Sequence, residues 1–186
     1  MGAHVDYAAE ILRELMHSAE QLSMEEAEGL SEAILGAGKV FLAGAGRSGL
    51  MGRAFAMRLM HMDIAAYVVG ETVTPGIGKG DLLIIGSGSG ETLSLAAMAR
   101  KASGAGAKVA AVTIHPASTI GQLADLTVKL PGNSKEQSER SGGTVQPMAS
   151  LFEQTLLIFY DSLILRMMNK RGWSSEQMYG NHANLE

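Results

Sequence analysis

The stretch GSGSGET at residues 86–92 follows the apolar run DLLII (81–85) directly, and this junction decides the fold. A similar junction occurs earlier in the chain, where KVFLAG (39–44) leads into AGRSGL (45–50). Both glycine loops carry serine, and each follows a predicted strand and precedes a predicted helix. In a parallel sheet such loops open at the same edge, so we expect them to face one crevice. Two loops of this kind indicate a site for an anion that binds hydroxyl groups as well as backbone N–H groups.

Short runs rich in β-forming residues indicate the strands, and they are apolar nearly throughout. The predicted strands lie at 40–44, 65–69, 82–86, 109–114 and 126–130. Strands that lack polar alternation are covered on both faces, as in a parallel sheet. Helical patterns separate several of the strands, at 49–62, 91–104 and, more weakly, 118–123, whereas 70–81 has a loop pattern. We therefore predict an α/β fold, a three-layer αβα sandwich on a five-stranded parallel sheet.

Further helices are predicted on both sides of this core. Two amphipathic helices near 4–20 and 24–37 come first, and Ser23 with Glu26 forms a candidate capping box for the second. Pro147 is expected to open a long, mostly apolar C-terminal helix that continues to about 169. The predicted organisation is one domain over the whole chain, with helices at 1–38, the α/β core at 39–147, and the last helix and a tail at 148–186. Within it the polar, aperiodic segment 131–147 is typical of a functional or mobile loop.

Composition excludes several classes of protein. The 186 residues are 46% hydrophobic and 18% charged, which is typical of a globular domain with a real core. A net charge of -4 gives no reason to expect a nucleic acid or an anionic membrane as partner. With no cysteine, neither a disulfide nor a thiolate site is possible, which fits a reducing compartment. The N-terminus lacks a signal-peptide pattern and long apolar stretches are broken by charge, so we expect a cytoplasmic protein.

The first loop has a second interpretation, as a dinucleotide site. Residues 44–49 satisfy the pattern G-x-G-x-x-G, and Glu71 lies where a ribose-binding acid would lie. However, Arg47 and Ser48 occupy a turn that in a dinucleotide site needs only close backbone approach. The second loop, with its serines and threonine, would also remain unexplained. Both loops together therefore favour a monophosphate, although for one loop alone the hydroxyl residues could equally be turn and cap residues.

Glu153 is the main candidate for acid–base chemistry. Its place within PMASLFEQTLLIFY (147–160) puts it about two turns into the predicted C-terminal helix, beyond the first turn where the helix dipole favours an acid. Apolar neighbours strengthen a carboxylate as a base, which suits a general base near neutral pH. Glu91, in contrast, is expected in the first turn of the helix after the second loop, where it would serve helix stability.

The histidines are harder to assign from the residues alone. His61 ends the helix that begins at the first loop, and both a dipole partner and a site residue are open interpretations. His182 lies in a tail without a core pattern, so packing does not explain it. His4, His17 and His115 are expected to be incidental. No set of histidines and acids has the spacing of metal ligands, so no metal is expected.

Three motifs together resemble the sugar isomerase (SIS) domain family: GAGRSG (44–49), GSGSGET (86–92) and QPMASLFEQ (146–154). The N-terminal helix pair and the ending NHANLE (181–186) are most similar to members that act on 3-hexulose 6-phosphate. The resemblance implies a sheet in the flavodoxin-like order, Glu153 as the residue that abstracts a proton, and His61 and His182 near the site. It also implies a homotetramer, a pair of dimers, with sites near subunit boundaries. The substrate-binding residues expected beside Glu153 and His61 are Gly46, Arg47, Ser48, Ser87, Gly88, Ser89, Gly90, Glu91, Thr92 and His182.

The reaction implied by this resemblance converts D-arabino-hex-3-ulose 6-phosphate into fructose 6-phosphate and back, the second step of formaldehyde fixation by the ribulose monophosphate route. It would proceed through a 2,3-enediolate, with Glu153 moving a proton between C2 and C3 and Arg47 stabilising the charge on oxygen. No redox cofactor is expected, because electrons move only within the substrate. Two alternatives stay open: isomerisation of a pentose or heptose phosphate, and a non-catalytic SIS-type sensor of sugar phosphates. A sensor is usually joined to a DNA-binding or effector domain, for which the sequence shows no pattern.

Overall fold

The computed structural model describes residues 6–133 and 144–185. Helices and strands alternate through most of these ranges, as the change of hydrophobic period predicted. In chain order the elements are α1 (Tyr7–Glu20), α2 (Met24–Leu35), β1 (Val40–Gly44), α3 (Gly46–His61), β2 (Ala66–Val68), β3 (Leu82–Gly86), α4 (Leu93–Gly104), β4 (Lys108–Thr113), α5 (Thr119–Leu123), β5 (Leu126–Lys129), α6 (Ser150–Arg171) and α7 (Ser175–Tyr179).

The strands form one parallel sheet in the order β2-β1-β3-β4-β5. This is the flavodoxin-like order expected from the resemblance, and the predicted sheet is confirmed. Strands β1 and β3 are neighbours, and their last residues Gly44 and Gly86 are partners in the register. The order of the strands reverses between them, which makes their carboxyl ends the switch point of the sheet. Both glycine loops therefore begin side by side at that point.

Apolar clusters cover both faces of the sheet. Helices α2, α3 and α6 pack on one face, where they meet side chains such as Leu42 and Ile84. Helices α4 and α5 pack on the other, where they meet Phe41, Leu83 and Ile85. Because successive residues of a strand point to opposite faces, two covered faces require apolar residues at nearly every position. The absence of alternation in the sequence has this cause, and the three-layer sandwich is confirmed.

Helices α3 and α6 lie against each other and connect the sheet to the C-terminal part of the chain. The rings of Phe55 and Tyr160 stack between them, with centroids 4.3 Å apart and planes within 1° of parallel. Both side chains are almost fully buried, and burial raises the pKa of the Tyr160 phenol well above its usual range. Helix α1 packs on the outside of α6. Through these contacts the start of α6 is held at the carboxyl edge of the sheet.

Several helix boundaries differ from the prediction. Helix α1 begins at Tyr7, since Asp6 caps it with its carboxylate, and α2 ends at Leu35 rather than at 37. Helix α6 begins at Ser150, not at Pro147, because Met148 adopts a φ of 56° that no right-handed helix contains. The loop prediction for 131–147 falls partly on residues 134–143, which lie outside the described residues. The connection 70–81 is a loop, as predicted.

The long helix α6 contains an extended apolar run. Its sequence LLIFYDSLILRMM carries Asp161 and Arg166, which interrupt the apolar run. Among the residues that the structure describes, none of the helices combines the length and the apolar character that a membrane span requires.

Candidate active site

Two helix N-termini meet at the switch point of the sheet. Helix α3 begins at Gly46, so Arg47 and Ser48 lie in its first turn and not before it, as the predicted start at 49 implied. Helix α4 begins at Leu93, with Thr92 as its N-cap residue. At neither start does a described side chain make a capping hydrogen bond. The open backbone N–H groups and the positive ends of both helices therefore face the same space, which is the usual arrangement for an anion site.

The first loop is shaped by close backbone contact. A Cβ atom on Gly49 would lie 2.6 Å from the carbonyl oxygen of Gly44, a distance that no side chain tolerates. Glycine at these positions lets α3 start directly against the end of β1. As a result Ser48 reaches the cleft above the sheet.

The serines of the second loop accept hydrogen bonds within the turn, but their hydroxyl protons remain available for donation. The hydroxyl oxygen of Ser87 accepts a bond from the Gly90 N–H (3.2 Å), and that of Ser89 accepts one from the Glu91 N–H (3.3 Å). The interpretation of these serines as turn residues is thus correct as far as it goes. A hydroxyl that accepts from the backbone still has its own proton to donate. Thr92 has a freer hydroxyl, since it caps α4 by position only.

Glycine at position 90 is a packing requirement. Its φ is 65°, and a Cβ there would fall 1.9 Å from the hydroxyl oxygen of Ser118. Gly90 therefore shapes the loop and lies buried behind the lining of the cleft. Gly46, also predicted to bind substrate, lines a neighbouring groove between the ends of β1 and β2.

The prediction that Glu91 lies in the first turn of the helix after the loop is wrong. Helix α4 starts two residues later, and the Glu91 carboxylate instead accepts bonds from the hydroxyl (2.6 Å) and the N–H (2.8 Å) of Thr119. These bonds lower the pKa of Glu91, the hydroxyl bond contributing most. Glu91 thus ties the second loop to the first residue of α5, and it also borders the cleft.

A cleft of about 480 Å³ opens between the two loops and the start of α6. This volume is in the range of small-molecule sites. The cleft brings together seven of the predicted residues with others that the sequence did not single out. Its lining consists of Ala45, Ser48, Gly86, Ser87, Gly88, Ser89, Glu91, Thr92, Leu95, His115, Asn133, Ala149, Phe152 and Glu153.

Glu153 faces the two loops from the opposite wall. It lies in the first turn of α6, because that helix begins at Ser150. The prediction that it lies two turns in is wrong. In the first turn, the helix dipole is by itself a sufficient reason for an acidic residue. Its position in the cleft and its contact with Arg47 remain as reasons for a role. Only 7% of Glu153 is exposed, and its Oε2 lies 2.7 Å from Nε of Arg47.

The Arg47–Glu153 pair combines a buried anion with a cation that is open to solvent. The Arg47 side chain is 58% exposed, whereas the carboxylate is enclosed by Phe152 and the apolar face of α6. Burial deprives a carboxylate of stabilisation by water, and a neighbouring guanidinium replaces part of that stabilisation with its positive charge. The arrangement places a carboxylate at the edge of the cleft, beside a cation that can also approach a second negative charge.

His61 and His182 lie far from the cleft, at the other end of helix α3. Helix α3 has 16 residues, so its two ends are roughly 24 Å apart at roughly 1.5 Å per residue. His61, at the far end, stacks with His182 (ring centroids 5.3 Å), and the Asn181 side chain donates to the His61 carbonyl (3.1 Å). Burial, then the charge of Arg58 and the proximity of His182, lower the pKa of His61. Within one chain, neither histidine belongs to the glycine-loop cleft.

His182 owes its position to a helix that the sequence analysis did not predict. Helix α7 begins after Ser174, whose hydroxyl and backbone exchange bonds with Gln177 in a capping box. The pattern S-x-x-Q at 174–177 was a readable signal for it. Residues of this segment pack partly on the core, so the tail has more structure than expected.

His115 and Asn133 are cleft residues that sequence reasoning missed. His115 was expected to be incidental, yet it follows β4 at the carboxyl edge and borders the cleft. Its N–H donates to the hydroxyl oxygen of Thr113 (3.2 Å), and that hydroxyl donates to the Gly88 carbonyl (3.2 Å). The turn that carries His115 is thus bonded to the second loop. The rule that sites form at the carboxyl ends of parallel strands would have indicated this residue.

Two further observations concern the alternative interpretation as a dinucleotide site and the question of a metal site. The carboxylate of Glu71, which a dinucleotide would use for its ribose, pairs with Arg53 of α3 at 2.5 Å. Within residues 6–133 and 144–185, no three histidine or acidic side chains are grouped so that they could hold a metal ion.

The fold and the double loop define a sugar isomerase type of domain, and the comparisons agree. The family model of the SIS domain matches residues 33–164, and the chain belongs to this family. It is 57% identical over 181 residues to the 3-hexulose-6-phosphate isomerase of Bacillus subtilis (strain 168), covering 97% of this chain and 98% of that one. The 3-hexulose-6-phosphate isomerase of Methylomonas aminofaciens is 41% identical over 164 residues, covering 86% and 90%.

Among solved structures, a hypothetical protein of Methanococcus jannaschii has a similar fold over the full chain. Its TM-score is 0.83 at 32% identity, covering 98% of this chain and 100% of that one. That structure was taken to infer the molecular function of 3-hexulose-6-phosphate isomerase.

Proposed function

We propose that the protein interconverts D-arabino-hex-3-ulose 6-phosphate and fructose 6-phosphate, the reaction of a 6-phospho-3-hexuloisomerase. One observation carries the proposal. In one cleft, the buried Glu153, which pairs with Arg47, lies opposite two glycine loops at helix N-termini. Full-length similarity to isomerases of this substrate supports it. The reaction is the second step of formaldehyde fixation by the ribulose monophosphate route.

The phosphate of the substrate binds at the two loops. Ser48, Ser87, Ser89 and Thr92 present hydroxyl groups there, and the starts of α3 and α4 add backbone N–H groups and their positive ends. Gly88 and Ser89 donate no backbone hydrogen bond to another residue that the structure describes, so their N–H groups also suit phosphate oxygens. Inorganic phosphate and sulfate should therefore inhibit competitively.

The sugar chain extends from the loops towards Glu153, which carries the proton. Its carboxylate removes the proton at C2 of the hexulose phosphate or at C3 of fructose 6-phosphate, and the electron pair forms the 2,3-enediolate. Return of the same proton to the other carbon completes the isomerisation. When Glu153 accepts the proton it loses its charge, and the Arg47 guanidinium is then available to the negative oxygen of the enediolate. No electrons leave the substrate, so this chemistry needs no redox partner.

The complete site includes a neighbouring subunit. His61 and His182 lie at the opposite end of α3 from the cleft, and a single chain cannot bring them to Glu153. The outer faces of α3 and α6 expose large apolar side chains, namely Leu50, Met57, Met60, Ile158 and Leu165. Monomeric proteins rarely expose so many in one region. We assign this surface to contacts in a homotetramer, a pair of dimers, in which the histidines of one chain approach the cleft of another.

Turnover with a panel of sugar phosphates tests the proposal. The expected result is fructose 6-phosphate formation from the hexulose phosphate at a kcat/KM far above that with pentose or heptose phosphates. Thermal-shift titration with the same compounds and with NAD measures binding in parallel. Stabilisation by hexulose phosphate without any turnover would indicate a sensor, and stabilisation by NAD alone would revive the dinucleotide interpretation.

A further inference from the structure

We propose that Glu14 of helix α1 is a positioning residue for Glu153, because it fixes the segment from which α6 starts. This inference rests on the proposed function. It concerns a residue outside the cleft, and it explains how the start of α6 is held at the glycine loops although a loop precedes it.

The Glu14 carboxylate accepts three hydrogen bonds from one short segment. The donors are the Thr144 hydroxyl (2.6 Å), the Val145 N–H (2.7 Å) and the side-chain amide of Gln146 (2.9 Å). The Gln146 N–H also donates to the Thr144 hydroxyl oxygen at 3.0 Å, which closes the network. Gln146 is only 4% exposed, so its amide depends on this partner. Hydrogen bonds to an ionised acceptor are roughly twice as strong as neutral ones.

The segment is linked to Glu153 by a short, well-defined stretch of backbone. Met148 takes a positive φ, which bends the chain into the helix. The Ser150 N–H donates to the Pro147 carbonyl (3.2 Å), and the Glu153 N–H donates to the Ala149 carbonyl (3.0 Å). Ala149 is itself part of the cleft wall. A displacement of residues 144–146 is therefore passed to the first turn of α6, where the carboxylate lies.

Loss of the Glu14 carboxylate should affect proton transfer more than phosphate binding. The phosphate loops belong to β1, β3 and the starts of α3 and α4, whereas the hydrogen bonds that the Glu14 carboxylate accepts from described residues all come from residues 144–146. Glutamine at position 14 keeps the size but replaces one acceptor by an NH₂ group that faces the donors of the segment. A shift of a catalytic group by about 1 Å can cost up to about 100-fold in rate. We expect kcat to fall by roughly tenfold, while KM and the inhibition constant of inorganic phosphate change less than about twofold.

The experiment compares Glu14→Gln, Thr144→Val and the double variant with wild type, using Glu10→Gln as the control. Glu10 lies on the same helix and pairs with Arg13 on the surface. The proposal predicts a fall in kcat for both single variants, a combined effect well below their product, and partial recovery with Glu14→Asp. Unchanged kcat, or a fall in kcat matched by an equal weakening of phosphate inhibition, would overturn it. If Glu14→Gln does not fold, Thr144→Val decides, because it removes only one hydroxyl.

Hydrogen exchange separates this inference from the proposed function. In Glu14→Gln, the backbone amides of 148–153 should exchange at least about tenfold faster than in wild type, whereas those of 86–92 should not change. If the variant and wild type differ in this way but wild type has no hexulose phosphate isomerase activity, the proposed function fails while the structural link stands. If exchange at 148–153 is the same in both proteins, the inference is wrong whatever the substrate is.

Discussion

The glycine-loop cleft and the histidine cluster lie at opposite ends of helix α3 and are built in different ways. At the N-terminal end, the positions come from buried strands and from close backbone contacts such as that between Gly44 and Gly49. At the C-terminal end, His61 is buried but His182 is exposed in the tail and held mainly by ring stacking. The first region is formed by residues of one chain and suits an anion. In the second, burial, the charge of Arg58 and the proximity of His182 lower the pKa of His61.

This contrast is the reason for proposing that the site is shared between subunits. A helix of α3's length separates the two sets of residues by more than a hexose phosphate can span. Either a second chain brings them together, or the histidines have no part in the reaction. The following predictions separate these possibilities, beginning with the largest expected effect.

Replacing Glu153 by glutamine tests the first region at its chemical centre. Because general acid–base catalysis contributes about 10²–10⁴-fold, kcat should fall by about that factor while KM changes little. Steady-state turnover of hexulose phosphate measures both constants, and Glu25→Gln, an exposed acid on α2, is the control. Retention of more than a tenth of wild-type kcat would remove Glu153 from the role of base.

Mixing Glu153→Gln with His61→Ala tests whether the regions meet across subunits, with turnover of fructose 6-phosphate as the reaction in which both variants should be impaired. Glu153→Gln chains retain the histidines, and His61→Ala chains retain the base, so mixed dimers contain intact sites. With random exchange, about a quarter of the sites should be intact, and activity should recover to a similar fraction. The assay is turnover after co-refolding, with each variant refolded alone as the control. No recovery in proven mixed oligomers, or a fully active monomer, would contradict the shared site.

The histidine region should matter more in one direction of the reaction than in the other. A 3-ketose with phosphate on its 6-hydroxyl cannot close an ordinary five- or six-membered ring, whereas fructose 6-phosphate must open its ring first. If His182 or His61 opens the ring, its alanine variant should slow turnover of fructose 6-phosphate by about tenfold or more and leave the initial rate from the hexulose nearly unchanged. Initial rates in both directions, with His17→Ala as control, provide the measurement. Equal losses in both directions would rule out a ring-opening role.

Removing one hydroxyl from the phosphate loops should have a modest effect on binding. Thr92→Val retains the shape of the side chain, and no capping bond is lost because Thr92 makes none with a described residue. A neutral hydrogen bond contributes about 0.5–1.5 kcal/mol, so KM should rise by about two- to tenfold with kcat unchanged. Ser94→Ala, on the exposed side of α4, should leave KM as it is. An unchanged KM for Thr92→Val would place the phosphate away from this loop.

The smallest effect concerns stability and acid pH, and it arises at Glu14. Burial tends to raise the pKa of Glu14, but the bonds from Thr144, Gln146 and Val145 outweigh it and lower the pKa below the usual value for glutamate. A lowered pKa in the folded state means stability that is present above the ordinary pKa and is lost as pH falls through the folded one. The free energy of unfolding of wild type minus that of Glu14→Gln should thus be constant near neutrality and shrink below about pH 4.5. Denaturant titrations at several pH values measure it, and a difference independent of pH would refute the assignment.

Local patterns were sufficient for much of the first region. The strands β1 and β3 lie at the predicted residues. A parallel strand that is covered on both faces is apolar at nearly every position, and the glycine and serine residues of the loop mark its end. The positions of the two glycine loops followed from the same two junctions. A helix boundary that depends on the φ angle of one residue could not be predicted from such local patterns. The start of α6 is one, since the positive φ of Met148 has no signature in an otherwise helical pattern.

The sequence by itself determined the class of fold, the pair of glycine loops and the candidate base, since each depends on residues close together in the chain. Only the tertiary structure decided that Glu153 meets Arg47, that Glu91 binds Thr119, and that His115 borders the cleft. It also separated His61 and His182 from the loops. Contacts between residues far apart in the chain depend on how helices pack on the sheet, and side-chain packing of this kind leaves no periodic trace in the sequence. Short-range patterns therefore show which chemistry is present, while long-range packing decides which groups share a site.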